Sequence, residues 1–217
     1  MIEQRNHKIC QIMQTIRARI SEINQRYRTG PDLYFYKRVI HLRGRSINIE
    51  SFLQENYHIE ILYATLVSWD MNSRAAKMKY FDEFKSNILL CLNRFKLLED
   101  FERNSNIDEC ICTLRDIYNN LALMKSGGRL VSNSKLLHFL FPKLCTPMDT
   151  KNILYYFYGN TNESAHSVDK YIEITKFSFE IINKSENWSN YLDNGWNTTV
   201  PKMIDNAIIL LVGKSVK

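Results

Sequence analysis

The chain has 217 residues, 45% of them hydrophobic, with a formal net charge of +6 and a pI near 9. That hydrophobic share builds a sizeable interior and excludes a disordered chain; seven glycines and four prolines exclude a turn-rich all-β protein. The positive balance favours a polyanionic partner such as nucleic acid.

Residues 2–28 carry Ile9, Met13, Ile16, Ile20 and Ile23 at spacings of three and four, one face of a long amphipathic helix. Its polar face holds Arg5, Arg17, Arg19, Arg26 and Arg28. "RTGPD" stops it, with Gly30 as a C′ residue and Pro31 opening the next helix. Further helices are expected over 31–43 and 49–70, joined by the basic turn "RGRS", then over 77–101 and 107–123. "KSGGRLVSN" precedes a short apolar helix with Lys135 in its first turn. The chain breaks at Pro142, turns through Pro147 and delivers Asp149 to the helix "DTKNILYYFYG", ending at Gly159. A helix over 164–184 and an aromatic loop "WSNYLDNGWNTTVP" follow. The last helix starts near Pro201 with Thr198 or Thr199 as N-cap. The expected fold is all-α, nine or ten helices in a single unit of two lobes.

The charged start "MIEQRNHKIC" and the short apolar run "AIILLVG" give neither a signal peptide nor a membrane span, so a cytoplasmic chain is expected. Five cysteines, Cys10, Cys91, Cys110, Cys112 and Cys145, form no CxxC pair and read as buried free thiols. With no GxxxxGK[ST], GxGxxG or HExxH pattern, no cofactor and no metal is expected, and kinases, dehydrogenases and metalloproteases are disfavoured. The chain is expected to be a monomer.

The order helix, glycine-containing turn, helix, proline turn, aspartate at a helix start, over about residues 107–158, resembles the helix-hairpin-helix DNA glycosylase superfamily. "RLVSNSKLL" stands where the family's hairpin L-P-G-V-G-x-[KT]-A would be, and "TPMD" where its aspartate would be. Val131, Ser132 and Asn133 replace the G-V-G, with Gly127 and Gly128 upstream, and the lysine-to-aspartate separation is shorter than the family's. "YATLVSWDMNSRAAKM" (63–78) and "WNTTVPKMIDNAI" (196–208) resemble segments of small bacterial proteins. That set includes, or borders on, phage-restricting glycosylases that excise glucosylated hydroxymethylcytosine.

The resemblance implies base excision from flipped nucleotides, with DNA, including modified phage DNA, as partner. It implies Asp149 as the carboxylate that stabilises positive charge on the sugar, and Lys135 as a Schiff-base nucleophile at C1′. Trp69, His138 and Tyr155, with Tyr156 and Trp196, are the aromatic pieces for a base pocket. Arg129, Ser132, Asn133, Ser134 and Arg74 are the candidates for the DNA backbone, and Lys37, Arg38, Arg43 and Arg45 add to the basic surface. Each residue also has a plain reading: Asp149 as an N-cap alone, Lys135 as a solvated lysine, Trp69 as core. Under those readings the chain is a non-catalytic nucleic-acid-binding module or a defence-system adaptor.

Overall fold

A computed structural model describes residues 2–27, 29–72, 77–104, 107–163, 167–184 and 187–213. Among them the architecture is all-helical, and the one β-type contact is an isolated antiparallel bridge between Met78 and Met124. That bridge ties the segment ahead of one helix to the loop ahead of another through Lys79 N–H to Leu123 O (2.9 Å) and Lys125 N–H to Lys77 O (2.8 Å).

The long first helix is two: α1 (Ile2–Arg19) and α2 (Glu22–Arg26), parted at Ile20 and Ser21. Gly30 is the N-cap of α3 (Pro31–Arg45) in extended backbone, not a left-handed C′ residue, because α2 has already ended. The expected 49–70 helix divides at Glu55 into α4 (Ile49–Gln54) and α5 (Asn56–Leu66). A reciprocal cap between Asn48 and Ser51 starts the first of these. A π-helical turn, Val67–Met71, continues α5. The next pair, α6 (Phe81–Leu90) and α7 (Leu92–Asn104), breaks at Cys91, and α8 (Ile107–Asn120) follows.

The helix α9 (Leu130–Leu140) begins five residues before Lys135, so Lys135 lies in its second turn. Val131, Ser132 and Asn133, set against a hairpin by the sequence, are helical; the turn between α8 and α9 is the stretch 121–129. A second π-helical turn, Thr150–Leu154, runs into α10 (Tyr155–Tyr158), which ends at Gly159 with φ +67°, the left-handed conformation that suits glycine at a helix end. The remaining helices are α11 (Ser167–Asn183), a short 3₁₀ turn (Trp188–Tyr191) and α12 (Val200–Val212), capped by Thr199, one of the two threonines the sequence offers for that place.

Packing places α9 in the middle, against α3, α5 and α11. The N-terminal α1 packs on the C-terminal α12, which also meets α11 and the second π turn. The residues from Pro201 to Leu210 are all buried. Amphipathic burial explains the pattern elsewhere: Leu33, Tyr36 and Val39 of α3 face inward while Tyr34, Lys37 and His41 face out. Among the cysteines, Cys91, Cys110 and Cys145 are buried free thiols, whereas Cys10 and Cys112 are exposed on the outward faces of α1 and α8.

One buried ion pair fastens the interior. The Arg43 guanidinium meets the Glu99 carboxylate, and its Nε donates to Leu140 O (2.8 Å) at the end of α9. The other Glu99 oxygen accepts from Ile49 N–H (2.9 Å) at the start of α4. Two helix termini are satisfied by this pair.

Candidate functional site

Both π turns end at one cleft. In the first, Trp69 (φ −87°, ψ 26°) and Asp70 (φ 69°, ψ 19°) leave helical geometry, and Asp70 is the positive-φ non-glycine residue among those described. A left-handed aspartate costs about 1 kcal/mol and is held by its surroundings. The bend turns the Trp69 carbonyl toward α9, where it accepts from Lys135 Nζ at 2.8 Å. The Trp69 indole N–H donates to Asp32 O (3.2 Å) at the start of α3. In the second π turn the i→i−5 bond runs from Leu154 N–H to Asp149 O (3.2 Å). π turns inside helices recur at functional sites because the extra residue re-aims neighbouring side chains.

Lys135, Asp149, Trp69 and Asp70 line two adjoining cavities. The first, about 270 Å³, is completed by Tyr27, Asp32, Trp196, Lys202, Asp205 and Asn206 among others. The second, about 360 Å³, opens toward Ser126, Gly128, Ser132, Lys151 and Glu163. The structure thus brings Lys135, Asp149 and Trp69 together, across three separate stretches of chain.

The aromatic floor is built from distant segments. The Tyr36 ring lies 5.2 Å from Trp69 and stacks on Trp196 at 6.1 Å, and Trp69 meets Phe139 edge-on at 4.9 Å. Above it sits the Lys202 ammonium, 5.3 Å from the Trp69 ring and 5.4 Å from the Trp196 ring. Lys202 donates to Asp205 and to Asn206 Oδ1 (2.8 Å). Asn206 in turn donates to Trp196 O (3.0 Å) and Asn197 Oδ1 (2.8 Å), so the loop before α12 is locked to the helix. Lys202, Asp205 and Asn206 were absent from the residues chosen by sequence. Their signal was an oppositely charged i, i+3 pair inside a helix otherwise apolar all round.

Burial pushes the Lys135 amine down to about 8, with Lys202 adding to the fall and Asp149, Asp205 and Asp70 opposing it. Burial likewise raises the Asp205 carboxyl, against the pull of Lys202. The Lys135 ammonium also lies 5.6 Å from the Trp69 ring centre. Asp149 caps its turn: Oδ1 accepts from the backbone N–H of Asn152 (2.7 Å) and Ile153 (2.9 Å), and Oδ2 from the Asn152 amide (2.6 Å). A carboxylate has about four acceptor sites, so one on Oδ2 remains for a ligand.

Other residues chosen by sequence lie elsewhere. His138 is fully buried and outside both cavities. Its Nδ1 donates to Cys145 O (2.7 Å), which leaves Nε2 to accept from Tyr36 O–H (3.0 Å). Burial drives its pKa down to about 3, so the imidazole is a neutral interior brace. Tyr155 is 45% exposed on α10, away from both cavities. Asn133 is buried, donating to Tyr118 O (3.2 Å) and Leu121 O (2.9 Å) at the end of α8. Ser134 is buried too, accepting from Met148 N–H (3.1 Å), and so anchors the strand of chain that presents Asp149. Both side chains answer orphaned backbone groups rather than an outside ligand. Ser132 is buried but lines the second cavity. Arg129 is partly exposed and donates to Asn119 O (2.5 Å). Arg74, like Arg28, lies outside the described residues.

Among the described residues no group of three or more His, Cys, Asp or Glu side chains is placed to hold a metal ion, and no helix is long and apolar enough to cross a membrane. No protein-family model, curated protein or solved structure matches the chain.

Proposed function

We propose that this chain is a DNA glycosylase that draws a modified nucleotide out of its stack and cuts the bond from base to sugar. The observation that carries the reading is the opening of Lys135, Asp149 and Trp69 onto one cleft. The two helical lobes and the hairpin-like role of residues 121–134 belong to this same reading, as do a monomeric state and action as a hydrolase in anti-phage defence.

In this reading the base lies against Trp69, where stacking on an indole offsets part of the lost stacking in DNA. As the C1′–N bond breaks, its electron pair leaves with the base and positive charge grows on the sugar. The Asp149 carboxylate stabilises that charge without itself reacting. Either water or the neutral Lys135 amine then bonds to C1′. A pKa near 8 leaves about a tenth of the amine neutral at pH 7, against under a thousandth for an ordinary lysine. Addition of the amine releases a proton to the departing base and opens the sugar to a Schiff base, which gives the enzyme lyase activity. Two joined cavities leave room for a base with a bulky attachment, in keeping with glucosylated hydroxymethylcytosine as substrate.

The three hydrogen bonds that Asp149 already accepts favour a second reading, in which it is only a cap and the chain is a non-catalytic nucleic-acid-binding module. Base release separates the two. Wild type and Asp149→Asn are compared on phage DNA carrying glucosylated hydroxymethylcytosine, on unmodified DNA and on a panel of damaged bases. The glycosylase reading expects abasic sites on a modified DNA and a loss of about 100-fold or more in the variant, since asparagine caps a helix as well as aspartate does. Borohydride trapping of a protein–DNA adduct, lost in Lys135→Met, tests the amine. No base released from any DNA overturns the enzyme reading.

A further inference from the structure

The cleft explains where one nucleotide is held; it leaves open what holds the strand on either side. The arginines of α1 and α2 are a poor answer, because much of that surface is spent inside the protein. Arg5 pairs with Glu180 (2.6 Å), Arg19 with Glu22 (2.6 Å), and Arg26 donates to Ile209 O (3.4 Å). Arg43 is buried with Glu99.

The outer face of α3 differs. Tyr34, Lys37, Arg38 and His41 follow at i, i+3, i+4 and i+7, one stripe of the helix. With Thr29, Gly30 and Leu33 they line an open groove of about 590 Å³ that contains no carboxylate. Among the described residues, no acidic side chain forms an ion pair with Lys37, Arg38 or His41. Tyr34 is 66% exposed, a large ring surface with little to cover it. The Arg38 guanidinium lies 5.9 Å from the Tyr57 ring, a contact that leaves its N–H edge free for hydrogen bonds.

The groove also adjoins the cleft through one short wall. Tyr27 and Asp32 line the first cavity, while Thr29, Gly30 and Leu33, between and beside them in the chain, line the groove. On its inner side the same helix supplies Tyr36 to the aromatic floor.

We propose that the outer face of α3 is the track for the DNA strand flanking the nucleotide in the cleft, with Lys37, Arg38 and His41 on successive phosphates and Tyr34 as a stacking platform for an unpaired base. The proposal rests on the glycosylase reading for the role of the cleft, but the surface itself is read by binding alone. A cationic groove with an exposed aromatic is the chemistry that single strands require: phosphate neutralisation for affinity and a ring face for any base. It adds α3 to the backbone candidates of the sequence, among which Arg129 has one N–H engaged with Asn119 O.

The test uses the full-length chain and fluorescein-labelled oligodeoxynucleotides, single-stranded and duplex, with affinity followed across a salt titration. Lys37→Ala/Arg38→Ala lowers the slope of log affinity against log salt by about 1.4 on single strands, since each phosphate contact there contributes roughly 0.7. Tyr34→Ala weakens single-strand binding by about tenfold at unchanged slope. Lys176→Ala/Lys184→Ala, the same charge removed from exposed positions on and just after α11, leaves the slope as in wild type. An unchanged slope in the α3 variant, an equal fall in the α11 control, or no binding by wild type each overturns the track. Base release, measured separately, decides the other reading: lost slope with no base released by wild type keeps the track and removes the glycosylase, and the reverse pattern does the opposite.

Discussion

The molecule buries charge in two places, and the two are built differently. At Arg43 and Glu99 each side chain meets the other and also a backbone group at a helix terminus, and neither lines the cavities of the cleft. Around Lys135, Asp149, Lys202 and Asp205 the charges are of mixed sign and mutually close, but they face open space. The first arrangement is closed and sets the relation of α3, α4, α7 and α9. The second leaves an amine below its ordinary pKa and a carboxylate with a vacant acceptor site. The contrast teaches that burial of charge alone does not mark a site. What marks it is charge on the wall of a cavity, within reach of a ligand.

Substitution separates the two clusters, beginning with the closed one. Arg43→Met leaves the Glu99 carboxylate buried without its partner, and the expected cost is about 4 kcal/mol, read as a lower urea midpoint. Adding Glu99→Met restores only part, because Leu140 O and Ile49 N–H lose their partners as well. A loss under about 1 kcal/mol in the single variant would show that the pair is solvated, and the contrast between the clusters would fail.

The open cluster is expected to answer in the opposite direction. Lys135 titrates at about 8 in the fold and at about 10.4 when unfolded. Between those values the unfolded chain holds the extra proton, so wild-type stability rises with pH through that window. Below pH 8 the charged lysine opposes folding in full. Lys135→Met therefore stabilises the chain by about 2 kcal/mol at pH 7, an advantage that shrinks to nothing by about pH 10.5. Urea midpoints at pH 7 and pH 10 measure it. A variant less stable than wild type at pH 7 would mean that the surrounding aspartates compensate the ammonium fully.

The smallest effect belongs to the backbone beside the cluster. Asp70→Gly relieves the left-handed conformation but frees the unfolded chain, and the two changes leave a gain of less than about 1 kcal/mol. A clear destabilisation would instead assign Asp70 an electrostatic duty larger than the strain it carries.

Much of the fold was legible because helix ends are written locally. Thr199, Asp149, Gly159 and Pro31 each act within four residues of themselves, and each marks the boundary expected of it. The breaks at Ile20–Ser21, Glu55 and Cys91 carry no such mark, since apolar spacing runs on through them, as Ile16, Ile20 and Ile23 show. The site divides in the same way. Lys135 and Asp149 stood out as lone charged residues at the ends of apolar runs. Lys202 and Asp205 did not, because a charged pair three residues apart reads as the wet side of a helix until the helix is seen to be buried all round. The sequence offers His138 for a base pocket and Asn133 and Ser134 for the DNA backbone, but all three are interior braces. Their partners are Tyr36, 102 residues away, and the ends of neighbouring segments, which no local pattern announces.

The tryptophans of the cleft carry a spectroscopic consequence. Trp69 and Trp196 are two of three in the chain, and the third, Trp188, lines neither cavity. Indole emission is sensitive to a cation at its ring, and Trp69 has the Lys135 and Lys202 nitrogens within 6 Å of its centre. The chain's own ultraviolet fluorescence is thereby weighted toward the cleft, and it registers the protonation of one lysine and the arrival of any planar guest without a label being attached.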